Sequence, residues 1–271
     1  MAVIMGVVNV TADSFSDGGR YLRHDAAIAH GLALRAAGAA IVDVGGESTR
    51  PGAERVPAAV EQERVLPVIE ALVGAGAVVS VDTMNASTAV LAVAEGATIV
   101  NDVSGGLADP ELVPAVAGTA ADLVLGHWRG HSSDMYARAR YDDIVAEVTG
   151  ELTRRLQAAT DAGIPPRRIV LDPGFGFGKE PADNWALARG LPRLVALGPR
   201  VLVGTSRKRM LATALGGAAS EQRRDLATAV TSVLAAQSGV WGVRVHDVAG
   251  TRDALAVLAA WTGGSCSHAP D

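Results

Sequence analysis

The chain has 271 residues, of which 49% are hydrophobic and 20% charged, and its formal net charge is −5. This length is enough to bury a core without disulfides or a structural metal, and the negative balance argues against a general nucleic-acid or membrane-surface binder. No apolar run approaches the roughly 20 residues that span a bilayer. The lone Cys266 excludes a disulfide framework and a cysteine-based zinc site. No basic leader or cleavage site is visible at the start, so we expect a cytoplasmic protein without nucleic-acid or membrane partners.

Short apolar runs alternate with Ala-rich amphipathic stretches along the whole chain. The runs are rich in Val, Ile and Leu, which is typical of buried parallel strands. They occupy residues 3–10, 40–46, 78–83, 98–103, 122–127, 169–174, 201–206 and 242–248. The stretches between them predict helices, for instance at residues 26–37, 60–73, 144–162 and 225–237. Eight strands, each followed by a helix, predict a single (β/α)₈ barrel, the TIM-barrel fold, for which a length of roughly 250 residues is typical.

A doubly wound open sheet is the alternative architecture. Such a fold would place a Gly-x-Gly-x-x-Gly turn after the first strand, and this chain has none there. The glycine-rich segment 174–178 follows the sixth strand instead. We therefore expect residues 1–263 to form one barrel domain and the polar residues 264–271 to form a disordered tail.

Two long connections follow the first and second strands, at residues 9–25 and 45–57. They are rich in Gly, Ser and Thr, and they also contain Asp, Arg and Phe residues. Long loops at the carboxyl end of a barrel usually carry function, although a passive surface loop is the other interpretation. We expect two mobile functional loops.

Every predicted strand ends in polar residues, which a barrel would gather on one face. These strand-end residues are Asn9, Asp43, Glu47, Asp82, Asn101, Asp102, His127, Asp172, Ser206, Lys208, Arg244, His246 and Asp247. A single polar residue in this place often only caps the next helix. Eight polar strand ends in register indicate a catalytic face, because barrel enzymes place their sites there.

The cationic strand ends predict an anion site. The segment 205–209 (TSRKR) opens the helix after the seventh strand, so we expect its three cations to face the barrel mouth. Arg244 and His246 are two residues apart and therefore share a face of the eighth strand. Loops after strands seven and eight are the common phosphate site of this fold, which indicates a phosphorylated or diphosphorylated substrate. A solvated helix start is the alternative for the cation cluster, and for Arg209 in particular the alternative is a side chain that faces water.

Opposite these cations, Asp82, Asn101 and Asp172 indicate a site for a planar ligand with several ring N–H groups. A buried carboxylate accepts two parallel hydrogen bonds from a guanidine-like edge. We interpret Asp43 and Asp102 as helix caps or buried supporting residues, because each neighbours a residue that could face the other side.

Two other kinds of chemistry are poorly supported. His127 and His131 have a spacing compatible with zinc on a helix, but here the pair straddles a strand end and a loop with no third ligand nearby. The loop hydroxyls of Ser14, Ser16 and Ser48 lack the Gly-x-Ser-x-Gly context of a serine nucleophile.

The motifs, taken together, resemble those of the dihydropteroate synthase family over residues 4–261. The matching segments follow the family's order: 5–19 (MGVVNVTADSFSDGG), 45–52 (GGESTRPG), 81–83 (VDT), 101–102 (ND), 172–179 (DPGFGFGK), 206–208 (SRK) and 244–246 (RVH). The resemblance implies a homodimeric barrel that joins 6-hydroxymethyl-7,8-dihydropterin diphosphate to 4-aminobenzoate with Mg²⁺. The products would be 7,8-dihydropteroate and diphosphate.

The resemblance also assigns roles to single residues. The pterin-pocket positions are Asp82, Asn101, Asp172 and Lys208. The Mg²⁺ contact is Asn9, and the diphosphate contacts are Arg244 and His246. The mobile-loop positions that close over the site are Phe15, Asp17, Thr49, Arg50 and Pro51, and the aminobenzoate wall is formed by Phe177 and Ser206. Those expected to act in catalysis are Asp17, Thr49, Arg50 and Lys208.

The sequence departs from the family pattern at two places, and two other activities compete. Ala12 replaces a common Pro in the first loop, and the segment 127–129 (HWR) replaces a Met-containing version that is common elsewhere in the family. A methyltetrahydrofolate-dependent corrinoid methyltransferase would not explain the cations of segments 206–208 and 244–246, because its substrate has no diphosphate. A non-catalytic pterin-binding paralogue would be expected to lose loop residues such as Asp17 and Arg50.

Overall fold

A computed structural model of the protein describes residues 1–10, 20–48, 52–130, 136 and 140–263, and the side chains of all of these except residues 20–23. Several predictions concern residues outside these ranges. They are the loop residues Phe15, Asp17, Thr49, Arg50 and Pro51, the second histidine of the zinc spacing, His131, and the predicted tail 264–271.

Eight parallel strands form a closed barrel in chain order. They are β1 (Val3–Asn9), β2 (Ile41–Gly45), β3 (Val79–Asp82), β4 (Ile99–Asp102), β5 (Asp122–Gly126), β6 (Ile169–Asp172), β7 (Arg200–Val203) and β8 (Gly242–Val245). Each strand pairs with the next, and β8 closes the barrel on β1. The predicted (β/α)₈ barrel is confirmed, and each strand overlaps its predicted span.

The described residues contain ten α-helices rather than the eight predicted. They are α1 (Arg20–Ala36), α2 (Ala58–Gly74), α3 (Ala86–Ala94), α4 (Leu112–Ala117), α5 (Ile144–Asp161), α6 (Pro181–Arg189), α7 (Leu191–Val195), α8 (Arg209–Ala214), α9 (Glu221–Gln237) and α10 (Val248–Trp261). Two helices follow β6 because Gly190 caps α6 and Pro192 lies in the first turn of α7. Two follow β7 because Gly216 and Gly217, both with positive φ, break the chain between α8 and α9.

Side chains alternate between the barrel interior and the surrounding helices, as the period of a strand requires. The interior layer is apolar and consists of Met5, Ile41, Ile99, Val124, Val170 and Leu202. Below it, at the amino ends of the strands, Arg200 pairs with Asp122 at 2.8 Å and lies over the ring of Trp241. These side chains fill the amino-terminal half of the barrel, and the polar residues of the predicted pocket lie at the carboxyl end.

None of the described helices is both long enough and apolar enough to cross a membrane. The cytoplasmic location stays a prediction.

Candidate active site at the carboxyl end of the barrel

The carboxyl ends of the strands bring most of the predicted pocket residues together. Asp82 ends β3 and is in register with Asn101 of β4, while Gly45 of β2 lies beside Asp82 on the other side. Asp172 ends β6, and Arg244 projects from β8. A Cβ atom on Gly45 would lie only 3.3 Å from the Cβ of Asp82. The glycine therefore leaves room for that carboxylate inside the barrel.

Arg244 joins two buried carboxylates across the barrel. Its Nε donates to Asp43 Oδ2 at 2.6 Å, and its Nη2 donates to Asp82 Oδ2 at 2.7 Å. Asn101 Nδ2 also donates to Asp43 Oδ2, at 3.1 Å. Asp43 is fully buried, so it fixes both the guanidinium and the amide. Buried charges require such partners, because each unpaired one costs several kcal/mol.

The charges of this cluster follow from burial and pairing. Burial raises the pKa of Asp82 to about 7, although Arg244 opposes this shift. For Arg244, burial acts to lower the pKa, but Asp43 and Asp82 outweigh it and raise the pKa above its usual range. Arg244 is therefore a permanent cation. It lies among the pocket acids, whereas the sequence placed it only at the diphosphate.

Asp172 and Lys208 form a second charged pair beside Gly204. A Cβ on Gly204 would lie 3.9 Å from Lys208 Nζ and 4.0 Å from Asp172 Oδ2, so both groups border the same space. Burial raises the pKa of Asp172, and Lys208 opposes this. Burial lowers the pKa of Lys208 to about 8, and Asp172 opposes that shift in turn. The pair presents an acceptor and a donor at one wall of the pocket.

Lys208 is held by the loop between β6 and α6, residues 173–179, which we call the glycine loop. Its Nζ donates to the carbonyl oxygen of Phe175 and lies 4.5 Å from the ring centroid of Phe177. Gly174, with φ of +68°, has no space for a side chain, because a Cβ there would lie 1.9 Å from His127 O. The glycine loop therefore determines where Lys208 and Phe177 lie.

Ser206 and His246, predicted in separate roles, are coupled. Ser206 Oγ lies 2.9 Å from His246 Nδ1 and accepts a 3.2 Å hydrogen bond from His246 N. The contact links the ends of β7 and β8. Asn9, the predicted metal contact, ends β1 on the same face and is half-buried.

The expectation that three cations of segment 205–209 face the barrel mouth is wrong for two of them. Arg207 has a φ of +58°, and its guanidinium turns to α9, where it binds both oxygens of Asp225 and also Glu221 Oε1. Arg209 pairs with Glu180 at an exposed position. Only Lys208 of the three enters the site.

Two other polar strand ends serve the backbone. Asp102 accepts hydrogen bonds from Ser104 N at 2.8 Å and Gly106 N at 2.5 Å, which agrees with its interpretation as a supporting residue. Asp247 caps α10 by accepting from Gly250 N. Both oxygens of Asp102 are thus engaged by the backbone, and Asp247 stabilises the first turn of α10.

The base of the second long loop is tied to the barrel. Arg55 contacts Glu47 at 3.1 Å and donates to Asn85 Oδ1 at 2.8 Å. The buried Glu61 accepts from Thr83 Oγ1 and from Asn85 Nδ2. These contacts fix both ends of the segment that carries Thr49, Arg50 and Pro51.

The interpretation of Asp43 as a buried supporting residue agrees with its contacts to Arg244 and Asn101. Its strand parity, the same as that of the interior residue Ile41, further indicates a place inside the barrel. Sequence reasoning missed Lys179, which enters it only as the last residue of the segment 172–179, yet the side chain is buried. A buried lysine closing a glycine-rich segment was a usable signal, because lysine is almost never fully buried unless paired.

The barrel carries carboxylates, an amide and two cations at its carboxyl end. The family model described as "Pterin binding enzyme" matches residues 5–246, which places the chain among the pterin-binding enzymes. The dihydropteroate synthase of Mycobacterium leprae is 52% identical over 263 residues, covering 95% of this chain and 93% of that protein. The chain belongs to the dihydropteroate synthase family.

Solved structures agree with this assignment. The Xanthomonas albilineans dihydropteroate synthase with 4-aminobenzoic acid has a TM-score of 0.91 and 48% identity, covering 97% of this chain and 94% of that one. The same organism's enzyme in complex with 7,8-dihydropteroate has a TM-score of 0.87 and 44% identity, covering 97% and 95%.

Proposed function

We propose that the chain condenses 6-hydroxymethyl-7,8-dihydropterin diphosphate with 4-aminobenzoate, giving 7,8-dihydropteroate and diphosphate in folate biosynthesis. The observation that carries this proposal is the pocket in which Asp82, Asn101 and Asp172 face Arg244 and Lys208. Such alternating donors and acceptors complement a planar pterin. The Xanthomonas relatives with 4-aminobenzoic acid and with 7,8-dihydropteroate support one substrate and the product of this reaction.

Within this pocket, Asp172 accepts two hydrogen bonds from the guanidine-like edge of the pterin. Lys208 donates to a pterin acceptor from the same wall, and Asp82 and Asn101 bind ring nitrogens from the opposite side. Charge-assisted bonds of this kind are about twice as strong as neutral ones. The buried pairing with Arg244 holds Asp82 in position before the substrate arrives.

The diphosphate side is formed by His246 and Arg244. Ser206 fixes the ring of His246, and Arg244 supplies a permanent positive charge at the border between pterin and diphosphate. Charge develops on the departing diphosphate, so fixed donors there stabilise the transition state more than the ground state.

The donor set fits a magnesium ion held mostly by the substrate. Mg²⁺ usually takes one or two protein oxygens and completes its shell with phosphates and water. The amide oxygen of Asn9 is such a ligand, and among the described residues no group of three or more His, Cys, Asp or Glu side chains would hold a metal alone. When bound, Mg²⁺ supplies charge neutralisation for the leaving group.

The reaction breaks the bond between the pterin methylene carbon and the diphosphate oxygen, whose electron pair leaves with the diphosphate. The electron-rich dihydropterin ring supports the resulting cationic methylene group. The arylamine nitrogen then forms the new C–N bond and loses one proton. The proposed role of the loop residues Phe15, Asp17, Thr49, Arg50 and Pro51 is to shelter the reaction from water. The proposed aminobenzoate wall is formed by Phe177 and Ser206.

We further propose a homodimer that uses α9 and α10. Three exposed apolar residues on α9, Leu226, Val230 and Leu234, are spaced by four and share one face. Val257 and Trp261 of the neighbouring α10 are also exposed. Apolar patches of this kind mark interaction surfaces. Leu234→Glu should shift the mass measured by light scattering from dimer to monomer, and a wild-type monomer would contradict the proposal.

The activity is tested by mixing purified protein with both substrates and Mg²⁺, and by measuring diphosphate and 7,8-dihydropteroate together. The synthase should form both in equal amounts. Omitting 4-aminobenzoate should abolish dihydropteroate. Pterin binding without product would identify a non-catalytic paralogue, and methyl transfer from methyltetrahydrofolate to cobalamin would identify the alternative enzyme.

A further inference from the structure

Lys179 at the end of the glycine loop is buried, with 1% of its surface exposed, and the proposed reaction gives it no role. Its Nζ donates to the carbonyl oxygens of Gly174 at 2.8 Å, Phe177 at 3.1 Å and His127 at 3.3 Å. A fourth neighbour, His127 Nδ1, lies at 3.0 Å. Burial lowers the pKa of Lys179 well below its usual range. The four surrounding acceptors favour the ammonium form, whose three N–H groups they share.

His127 connects this ammonium to a carboxylate on α5. Its Nε2 lies 2.9 Å from Glu151 Oε2. Burial lowers the pKa of His127 to about 3, so the ring is neutral. Burial alone would raise the pKa of Glu151, but hydrogen bonds from His127 and Arg129 lower it to about 2. An ionised carboxylate only accepts, so the ring proton lies on Nε2 and Nδ1 accepts from Lys179.

The glycine loop needs such a clamp. Gly174, Gly176 and Gly178 all have positive φ, and glycine loses more conformational freedom on ordering than any other residue. The loop in turn supplies the Phe175 carbonyl that binds Lys208. Its Gly174 N–H donates to Asp172 Oδ1 at 2.7 Å. A displaced loop would therefore displace both members of the Asp172–Lys208 pair.

We propose that Lys179, oriented by His127 and Glu151, is a positioning residue: it fixes the glycine loop and, through the loop, the pterin-binding groups Asp172 and Lys208. The inference rests on the proposed function. Lys179 does not touch the substrate itself. It acts through the loop carbonyls, which its ammonium holds in place.

The first test compares Lys179→Met with Arg168→Met. Arg168 also binds backbone carbonyls, those of Ala121 and Val116, but at the amino end of the barrel. Lys179→Met should weaken the calorimetric affinity for 6-hydroxymethylpterin and lower kcat/KM by about tenfold to a hundredfold, because small displacements of binding groups have effects of this size. Arg168→Met should lose thermal stability only. Equal pterin affinity in the two variants would overturn the inference.

A second pair of variants avoids removing the buried cation. Glu151 and Glu147 both bind Arg129, but only Glu151 contacts His127. In Glu151→Gln, the single oxygen of the new side-chain amide accepts from Arg129, so its NH₂ group faces His127 Nε2. Because Nε2 must then accept, the proton of the His127 ring moves to Nδ1. The Nδ1–H group would point at the ammonium of Lys179, and a donor would face a donor. ¹⁵N NMR of labelled histidine should show the changed tautomer together with an affinity loss of at least about threefold.

Glu147→Gln is the matched control and should change neither the tautomer nor the pterin affinity. A changed tautomer with unchanged affinity in Glu151→Gln would overturn the inference. Wild-type protein that binds pterin but forms no dihydropteroate would refute the proposed synthase activity, while the affinity comparison between variants still decides the role of Lys179. Wild-type protein without pterin affinity would refute both.

Discussion

Asp172 and Asp102 both end strands of the barrel, Asp172 half-buried and Asp102 fully buried, and replacing each by Asn should have different consequences. Asp172 uses Oδ1 to accept from Gly174 N at 2.7 Å, while Oδ2 borders the space near Lys208. Asp102 uses both oxygens for backbone N–H groups. We expect Asp172→Asn to weaken pterin affinity strongly and Asp102→Asn to affect stability alone.

The magnitude for Asp172→Asn follows from two losses. The amide keeps one acceptor and presents an N–H₂ group to the donor edge of the pterin, so one charge-assisted bond is lost and a donor faces a donor. Truncating one partner of a buried charged pair costs about 2–5 kcal/mol. This corresponds to a loss of about 30-fold to several thousandfold in affinity. In addition, Asp172 is the charge that raises the pKa of Lys208 against burial, so its removal lowers that pKa further.

The control variant, Asp102→Asn, loses a side-chain oxygen that accepts a hydrogen bond from a backbone N–H group. In Asp102→Asn, the N–H of Ser104 or Gly106 loses its charged partner, which costs about 1–3 kcal/mol of stability. The pocket acids contact other groups and stay in place. Calorimetry with 6-hydroxymethylpterin measures affinity, and thermal denaturation measures stability. An Asp172→Asn affinity within about threefold of wild type would refute the placement of Asp172, as would a pterin-affinity loss in Asp102→Asn equal to that in Asp172→Asn.

Three further predictions concern ionisation, metal and the loops. Burial lowers the pKa of Lys208 from 10.5 to about 8, so Lys208 is charged below pH 8. Burial raises the pKa of Asp82 to about 7, so Asp82 is charged above pH 7. The pH profile of kcat/KM should therefore rise near 7 and fall near 8, and Lys208→Arg should remove the fall because arginine stays protonated; an unchanged falling limb would contradict this. Diphosphate release should stop in EDTA and return with Mg²⁺, since Asn9 alone cannot neutralise the leaving group; full turnover in EDTA would exclude the metal role. Arg50→Ala should lower kcat/KM by about tenfold or more with pterin affinity retained, whereas Asp82→Ala should weaken pterin binding itself. Equal affinity losses in the last two variants would place Arg50 in the preformed pocket.

The barrel was predictable because its signals are repetitive. Eight apolar runs with polar ends leave few other architectures, and each predicted strand overlaps an observed one. Helix boundaries were less predictable. The sequence placed a helix at residues 225–237, but α9 begins at Glu221 because Ser220 caps it by accepting from Arg223 N. A side-chain cap of this kind extends a helix beyond its apolar pattern.

The site was predictable by residue type but not by pairing. Strand ends predicted that Asp82, Asn101 and Asp172 share a face, yet nothing in the sequence indicates that Arg244 would cross the barrel to Asp43. That contact joins residues 201 positions apart. Similarly, the position of Arg207 in the sequence predicts a cation that faces the site. Its positive φ and its contact with Asp225 show that it faces α9 instead.

The charge balance of the pocket explains why it suits a ligand rich in N–H donors. Asp43 and Asp82 are buried and Asp172 is half-buried, and the described cations that contact or border these three carboxylates in the pocket are Arg244 and Lys208. Burial raises the pKa of both Asp82 and Asp172. The negative charge of these carboxylates is only partly balanced in the ligand-free pocket. A buried charge must be paired or hydrogen-bonded, so further N–H donors stabilise it. A guanidine-like pterin edge supplies those donors without adding a full charge. The unbalanced carboxylates therefore destabilise the ligand-free protein, and the relief of this destabilisation contributes to the affinity for the pterin.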